Sequence, residues 1–308
     1  MADRPSNRSS NRVRIAVVAP DRAATVALGP LFEVWGDRVL TVVGSVPDAE
    51  ELAALADRAD AVLVVGPRVR APRTVLPGPC VPSGDGRTVP VAWLPDTGDL
   101  GTFARAAARV HRRAMTRRGS PRTFAVLGER QPRFDRLAER VVRLAGEDPT
   151  GRLVPARWTA YEVDRGEVAL RLGRGPGLAV YVGHGRPVGW VGYAGLRAHH
   201  LEPEEPVGAL VSLTCKTASR RRTGLSFAEA LPLRGVAAAT VGAVGPTLHT
   251  ANARWALRLT RAAATASTVG DLVAAVAPHD PAAAAYRLIG DPPAPLLDAA
   301  PASHQEAS

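Results

Sequence analysis

The sequence predicts an α/β protein with a mainly parallel sheet, on three observations. Short, uniformly apolar, β-branched runs recur along the chain, as in strands buried on both faces. Stretches with apolar residues at helical spacing alternate with them, several opened by N-capping residues. Two runs stop at reactive side chains: Leu-Ala-Val-Tyr-Val-Gly-His-Gly over 178–185 ends at His184, and Ala-Leu-Val-Ser-Leu-Thr-Cys over 209–215 ends at Cys215. If these two strands are neighbours, their carboxyl ends bring an imidazole and a thiol to the edge where open α/β sheets place their sites.

At 308 residues the chain suits one large α/β unit or two smaller ones. Hydrophobic content of 46% and charged content of 22% are those of a globular protein. The polar, basic first twelve residues lack the apolar core of a secretory signal, and no run of about eighteen apolar residues occurs, so a cytoplasmic protein without membrane contact is expected. Cys80 and Cys215 are too few for a disulfide framework or a four-cysteine zinc site. The net charge of +10 raises nucleic acid as a partner, but the charge is dispersed. Lys216 is the only lysine, and the Arg, Ala, Gly, Pro and Val usage is that of a GC-rich bacterial genome. With five Trp, four Tyr and five Phe there is no aromatic platform for bases, and nucleic-acid binding is not expected.

In order, residues 1–13 read as a disordered tail, 14–19 as the first strand and 39–43 as the second. Asp48 with Glu51 forms a capping box for a helix over 49–58. Residues 60–66 are a buried strand, 67–87 a Pro/Gly-rich loop containing Cys80, and 89–94 a return to the sheet. Phe103, Ala107, Val110 and Ala114 share a helix face after a cap at Asp99 or Thr102. The linker over 116–122 divides an N-terminal subdomain, 14–118, from a second domain, 119–298. There, 123–127 is a strand, and Phe134, Leu137, Val141 and Leu144 mark a helix closed by Gly146. Trp158, Tyr161, Glu162 and Asp164 fall in a variable stretch before the two central strands. After Cys215, 217–224 is a polar loop, Ser226 and Glu229 cap a helix curtailed by Pro232, and 236–244 is a strand of small residues. A helix spans about 251–264, with Trp255, Leu257 and Leu259 for packing, another starts at Thr268 with Asp271, and 299–308 is a tail.

Tyr-Val-Gly-His-Gly at 181–185, Leu-Thr-Cys at 213–215, the 226–231 and 235–242 segments and the closing Tyr-Arg-Leu-Ile-Gly-Asp-Pro-Pro at 286–293 resemble the gingipain-type cysteine peptidases, family C25 of the caspase-like clan CD. Segments 61–66 and 89–95 are similar to that family's first subdomain, so the resemblance spans roughly 14–298. It implies a caspase-like three-layer sandwich with a mainly parallel sheet, preceded by a smaller α/β subdomain. It also implies an endopeptidase with a His184–Cys215 dyad, acting through a thioester without cofactor or metal. The lack of a secretory signal, which sets the chain apart from secreted members of that family, leads to the expectation of an intracellular enzyme. The Gly185 and Cys215 amides would donate to the oxyanion, where one donor is worth about a hundred to a thousand in rate. An acidic residue ahead of the histidine would orient it, with Glu129 the first candidate and Asp164 the second. The chain departs from the family at Arg186-Pro187, where a small residue is usual, and at Gly66-Pro67, where Gly-Asp is usual.

Lys216, Arg220, Arg221 and Arg222 after Cys215, with Arg186 after the His-Gly pair, point to an acidic or small side chain before the cleaved bond. The same residues suit a solvated loop equally well. Asp291 reads as a turn residue and His199-His200 as a solvated loop. The partners expected are a protein or peptide substrate and an activating partner protein. Two other classes stay open: a caspase-like module without catalysis, and a nucleotide-dependent enzyme, which lacks both phosphate-loop patterns.

Overall fold

The structure, a computed structural model, describes residues 13–37, 39–67, 78–97, 99–117, 122–220 and 224–296. The strands are β1 (Val13–Ala19), β2 (Val39–Val43), β3 (Ala59–Pro67), β4 (Cys80–Pro82), β5 (Thr88–Asp96), β6 (Arg122–Gly128), β7 (Leu153–Thr159), β8 (Leu178–Val182), β9 (Gly185–Arg186), β10 (Gly189–Trp190), β11 (Val207–Leu213), β12 (Ala237–Ala243) and β13 (Tyr286–Gly290). The helices are α1 (Arg22–Ala27), α2 (Gly29–Trp35), α3 (Ala49–Arg58), α4 (Leu100–Thr116), α5 (Pro132–Gly146), α6 (Arg165–Gly173), the single turn α7 (Gly192–Gly195), α8 (Phe227–Leu233), α9 (His249–Ala263) and α10 (Val269–Val276).

All strands except the β9–β10 ribbon join one sheet in the order β2-β1-β3-β5-β13-β12-β11-β8-β6-β7, with β4 on β5. Neighbours are parallel except at β4–β5 and β12–β13. The strands from β2 to β13 therefore run opposite to those from β12 to β7, and the two halves put their carboxyl ends at opposite edges. β13 joins the halves into one continuous sheet. The expected boundary at residue 118 falls among residues 118–121, outside the described residues.

Alternation along the strands sorts the side chains into two layers. Ile15, Val17 and Ala19 of β1 and Phe124 and Val126 of β6 pack with α1, α2, α4, α5, α9 and α10. Ala16 and Val18 pack with α3, and Ala125 and Leu127 with α6 and α8. This is the mainly parallel three-layer α/β sandwich.

The capping boxes of α3, α8 and α10 form as the sequence predicts. The loop expected over 67–87 instead contains β4, three residues antiparallel to β5, while 68–77 lie outside the described residues. The variable stretch before β8 holds β7 and α6.

Candidate active site

The site is built by register. β8 and β11 are parallel neighbours with Val182 opposite Leu213, and each chain then runs two residues further, to His184 and to Cys215. The equal offset delivers both side chains to the same sheet edge. The backbones also meet there. A Cβ on Gly185 would lie 2.5 Å from Thr214 Oγ1 and 2.7 Å from the Cys215 carbonyl oxygen, so only glycine lets the His-Gly turn lie against the cysteine.

The thiol is held from the far side. Thr247, beyond the end of β12, donates its N–H to Cys215 Sγ at 3.3 Å, with its carbonyl oxygen at 3.5 Å and its hydroxyl at 3.6 Å. Asn252 of α9 donates to the Leu213 carbonyl at 3.1 Å and accepts the Tyr286 hydroxyl proton at 2.5 Å. Burial, with a smaller contribution from the nearby Cys215, pushes the Tyr286 phenol up, so it stays a protonated donor. Thus the first residue of β13 and a helix packed on the sheet fix where β11 ends. Immediately after the thiol, Lys216 adopts left-handed φ +62°, which turns the chain sharply out of the strand.

His184 is pinned at its backbone. Its N–H donates to Glu129 Oε2 at 2.5 Å, and its carbonyl accepts from Val191 N–H at 2.9 Å and from the Tyr181 hydroxyl at 3.1 Å. Tyr181 is stacked on Trp190, ring centroids 4.2 Å apart, and Trp190 Nε1 donates to Ser212 at 2.9 Å. The turn that presents the histidine therefore rests on a buried aromatic platform reaching back to β11.

The imidazole itself meets cations. Arg133, the second residue of α5, brings Nη2 to 2.7 Å from His184 Nε2. A guanidinium only donates, so Nε2 accepts and the neutral ring carries its proton on Nδ1. Phe134 touches both His184 and His249 edge to face, each at 5.3 Å between centroids. Burial and then the guanidinium charge of Arg133, with the neighbouring His184 ring contributing after it, hold the His249 pKa below its ordinary value.

The other sequence-predicted residues separate. Glu129 is buried, and its carboxylate goes to the His184 amide and to Gln131 Nε2 at 3.1 Å, so it grips the backbone of the histidine rather than its ring. Asp164 accepts from Glu167 N–H at 2.8 Å as the N-cap of α6, a structural duty. Arg220 does not face a substrate: Nε donates to both Glu229 oxygens at 2.9 Å, and the pair is 6% and 0% exposed. Glu229 sits fully buried in the capping box of α8, and an unpartnered carboxylate there is costly, so the guanidinium is drawn inward. Arg221 lies outside the described residues. Arg186 and Lys216 are exposed next to His184-Gly185 and Cys215. Cys80, at the start of β4, has its thiol pKa pushed up to about 12 by burial. Asp291 is more than a turn residue: its carboxylate is 2.7 Å from His111 Nε2, tying α4 to the end of β13. Among the described residues no group of three metal-ligating side chains occurs.

Sequence reasoning missed Thr247, Asn252, Arg133 and His249. Only Asn252 carries a signal, an amide on the otherwise apolar buried face of α9.

Residues 147–297 match the model of peptidase family C25. The crystal structure of the Arg-specific cysteine proteinase gingipain R (RgpB) superposes with TM-score 0.68 at 14% identity, covering 95% of this chain and 80% of that one. The complex of Porphyromonas gingivalis RgpB pro- and mature domains gives TM-score 0.65 at 13% identity, covering 93% and 80%. No curated protein sequence matches the chain significantly. At these identities the structural likeness establishes the caspase-like fold, and the family model accounts for the segment holding β8, β11 and β13: residues 147–297, just under half of the chain, match peptidase family C25 and support a cysteine-type hydrolase.

Proposed function

We propose that the chain is an endopeptidase in which Cys215 is the nucleophile and His184 the proton carrier. The observation that supports this most is the register of β8 on β11, Val182 opposite Leu213, which sets both residues at equal offsets past their strands. Cys215 gives its thiol proton to His184 as Sγ attacks the scissile carbonyl carbon, and the resulting oxyanion is met by the amides of Gly185 and Cys215. The C–N bond breaks as the leaving amine takes a proton from His184, leaving a thioester. His184 then takes a proton from water as the water oxygen attacks the thioester. The S–C bond breaks, the acid product leaves, and His184 passes the proton it took from water to Sγ, restoring the thiol and the neutral ring. Glu129 and Tyr181 hold the peptide units that carry His184, so the ring needs no carboxylate partner to keep its place.

We also propose a reducing, intracellular setting, which two unpaired thiols support. Cell fractionation that finds the chain in the secreted fraction would oppose it. An activating partner is proposed by analogy with the pro-domain bound in the RgpB complex. The dyad is tested by digesting a quenched peptide library with the wild type and with His184→Ala and Cys215→Ala. Cleavage by the wild type alone is the expected result; equal cleavage by either variant refutes the dyad.

A further inference from the structure

Arg133 has a free charge at the centre of the site. It is exposed, lies on Phe134 at 4.6 Å from the ring centroid, and spends its hydrogen bond on His184 Nε2. The acidic side chains around it are committed elsewhere. Glu129 holds the His184 amide, and Asp135 and Glu162 both pair with Arg157 at 3.2 Å. Among the described residues Arg133 has no carboxylate partner. It stands in the first turn of α5, a fifteen-residue helix whose N-cap, Gln131, makes no side-chain cap bond, so the positive end of the helix adds to the field. A guanidinium in this setting is built to bind a carboxylate in a two-pronged hydrogen bond, and a neutral imidazole is a weak substitute for one.

Which substrate group reaches it follows from the chemistry of the dyad, on which this reading rests. His184 hands its proton to the leaving amine, so a group within hydrogen-bond distance of the ring lies beside the residue that follows the cleaved bond. We infer that Arg133 is a specificity-determining residue that selects substrates with a carboxylate on the leaving residue, and that in the empty enzyme it covers the ring nitrogen His184 needs. Substrate carboxylate draws Arg133 off His184 Nε2, so recognition and release of the base are one event. The carboxylate is either the side chain of an Asp or Glu or the terminal carboxylate of a peptide cut near its end.

Two readouts test the inference. The first needs no substrate: the Cys215 thiolate displaces iodide from iodoacetate, which carries a carboxylate, or from neutral iodoacetamide. The ratio of the two alkylation rates at Cys215 is expected to fall roughly tenfold in Arg133→Gln, the worth of one charge-assisted hydrogen bond, and to be largely kept in Arg133→Lys. The second compares peptides that differ only after the cleaved bond. Glu or Asp is expected to exceed Gln or Asn about tenfold in kcat/KM, with the preference lost in Arg133→Gln. Amidated and free-acid peptides separate the side-chain carboxylate from the terminal one. An alkylation ratio equal in wild type and Arg133→Gln, or an acidic preference that survives Arg133→Gln, overturns the inference. Cys215 alkylation that is indifferent to His184→Ala sinks the dyad instead, so the two failures are told apart.

Discussion

Gly185→Ala is the sharpest perturbation of the site. The added methyl would lie 2.5 Å from Thr214 Oγ1, 2.7 Å from Thr214 Cγ2 and 2.7 Å from the Cys215 carbonyl oxygen. Two of these atoms belong to a buried, fully packed threonine and the third is backbone, so the His-Gly turn itself must retreat by several tenths of an ångström. Overpacking of this kind costs about 1–3 kcal/mol of stability. The effect on rate is larger. In the proposed mechanism the retreat carries the Gly185 amide away from the oxyanion and His184 away from the thiol, and the loss of one oxyanion donor alone amounts to about a hundredfold to a thousandfold in kcat. The assay is kcat and KM on a quenched peptide, with a thermal melt to show that the fold survives. A folded Gly185→Ala enzyme within about threefold of wild-type kcat would refute the reasoning, because the donor removed is worth far more than that.

Three further outcomes follow from the geometry. Glu129→Ala leaves the His184 amide without its acceptor at a cost of about 1–3 kcal/mol. It is expected to lower kcat while Cys215 alkylation persists, and Glu129→Gln, which keeps an acceptor oxygen, is expected to restore most of the rate; equal losses in the two variants would oppose this. Arg220→Ala strands the buried Glu229 carboxylate and is expected to destabilise the fold by about 3–5 kcal/mol in urea titration. The double variant with Glu229→Ala should recover much of that, and a single variant as stable as wild type would refute the structural role. His249 has a folded pKa below its ordinary 6.5, through burial first and then Arg133 and His184. The unfolded chain therefore takes up its proton first, and stability is expected to fall as pH drops below 6.5, with no contribution from this group above it. Urea midpoints at pH 7.5 and 5.5 should fall less in His249→Asn than in wild type, and an equal fall contradicts the assignment.

Strand β8 and its neighbour β11 are plain in the sequence because they are buried on both faces and read as short, mostly apolar runs too brief for a helix. The capping boxes of α3, α8 and α10 are equally plain, since their chemistry lies within four consecutive residues. β7 is hidden by Pro155, Arg157 and Trp158, which an edge strand tolerates and a central strand does not. β13 is harder still. It is five residues long and carries a buried arginine, Arg287, yet it occupies the centre of the sheet, and its position depends on partners more than forty residues away. Of the proposed site, the placement of His184, Gly185 and Cys215 at one sheet edge is legible because they directly follow two neighbouring strands. Thr247, Arg133 and His249 are not, because an exposed arginine in a first helical turn or a threonine in a loop looks like ordinary surface until the register places it. Arg220 misleads for the same reason: its partner Glu229 is nine residues on, and nothing local shows that the pair is buried.

The most direct test of the central claim is mass spectrometry of the enzyme quenched during turnover of an activated peptidyl ester. The dyad predicts an acyl group on Cys215, formed rapidly, absent from Cys215→Ala and strongly reduced in His184→Ala. Cys80, with its thiol pKa pushed up to about 12, serves as the internal control and should stay unmodified. Acyl groups on Cys80 at the same rate, or hydrolysis with no adduct on Cys215, would contradict it.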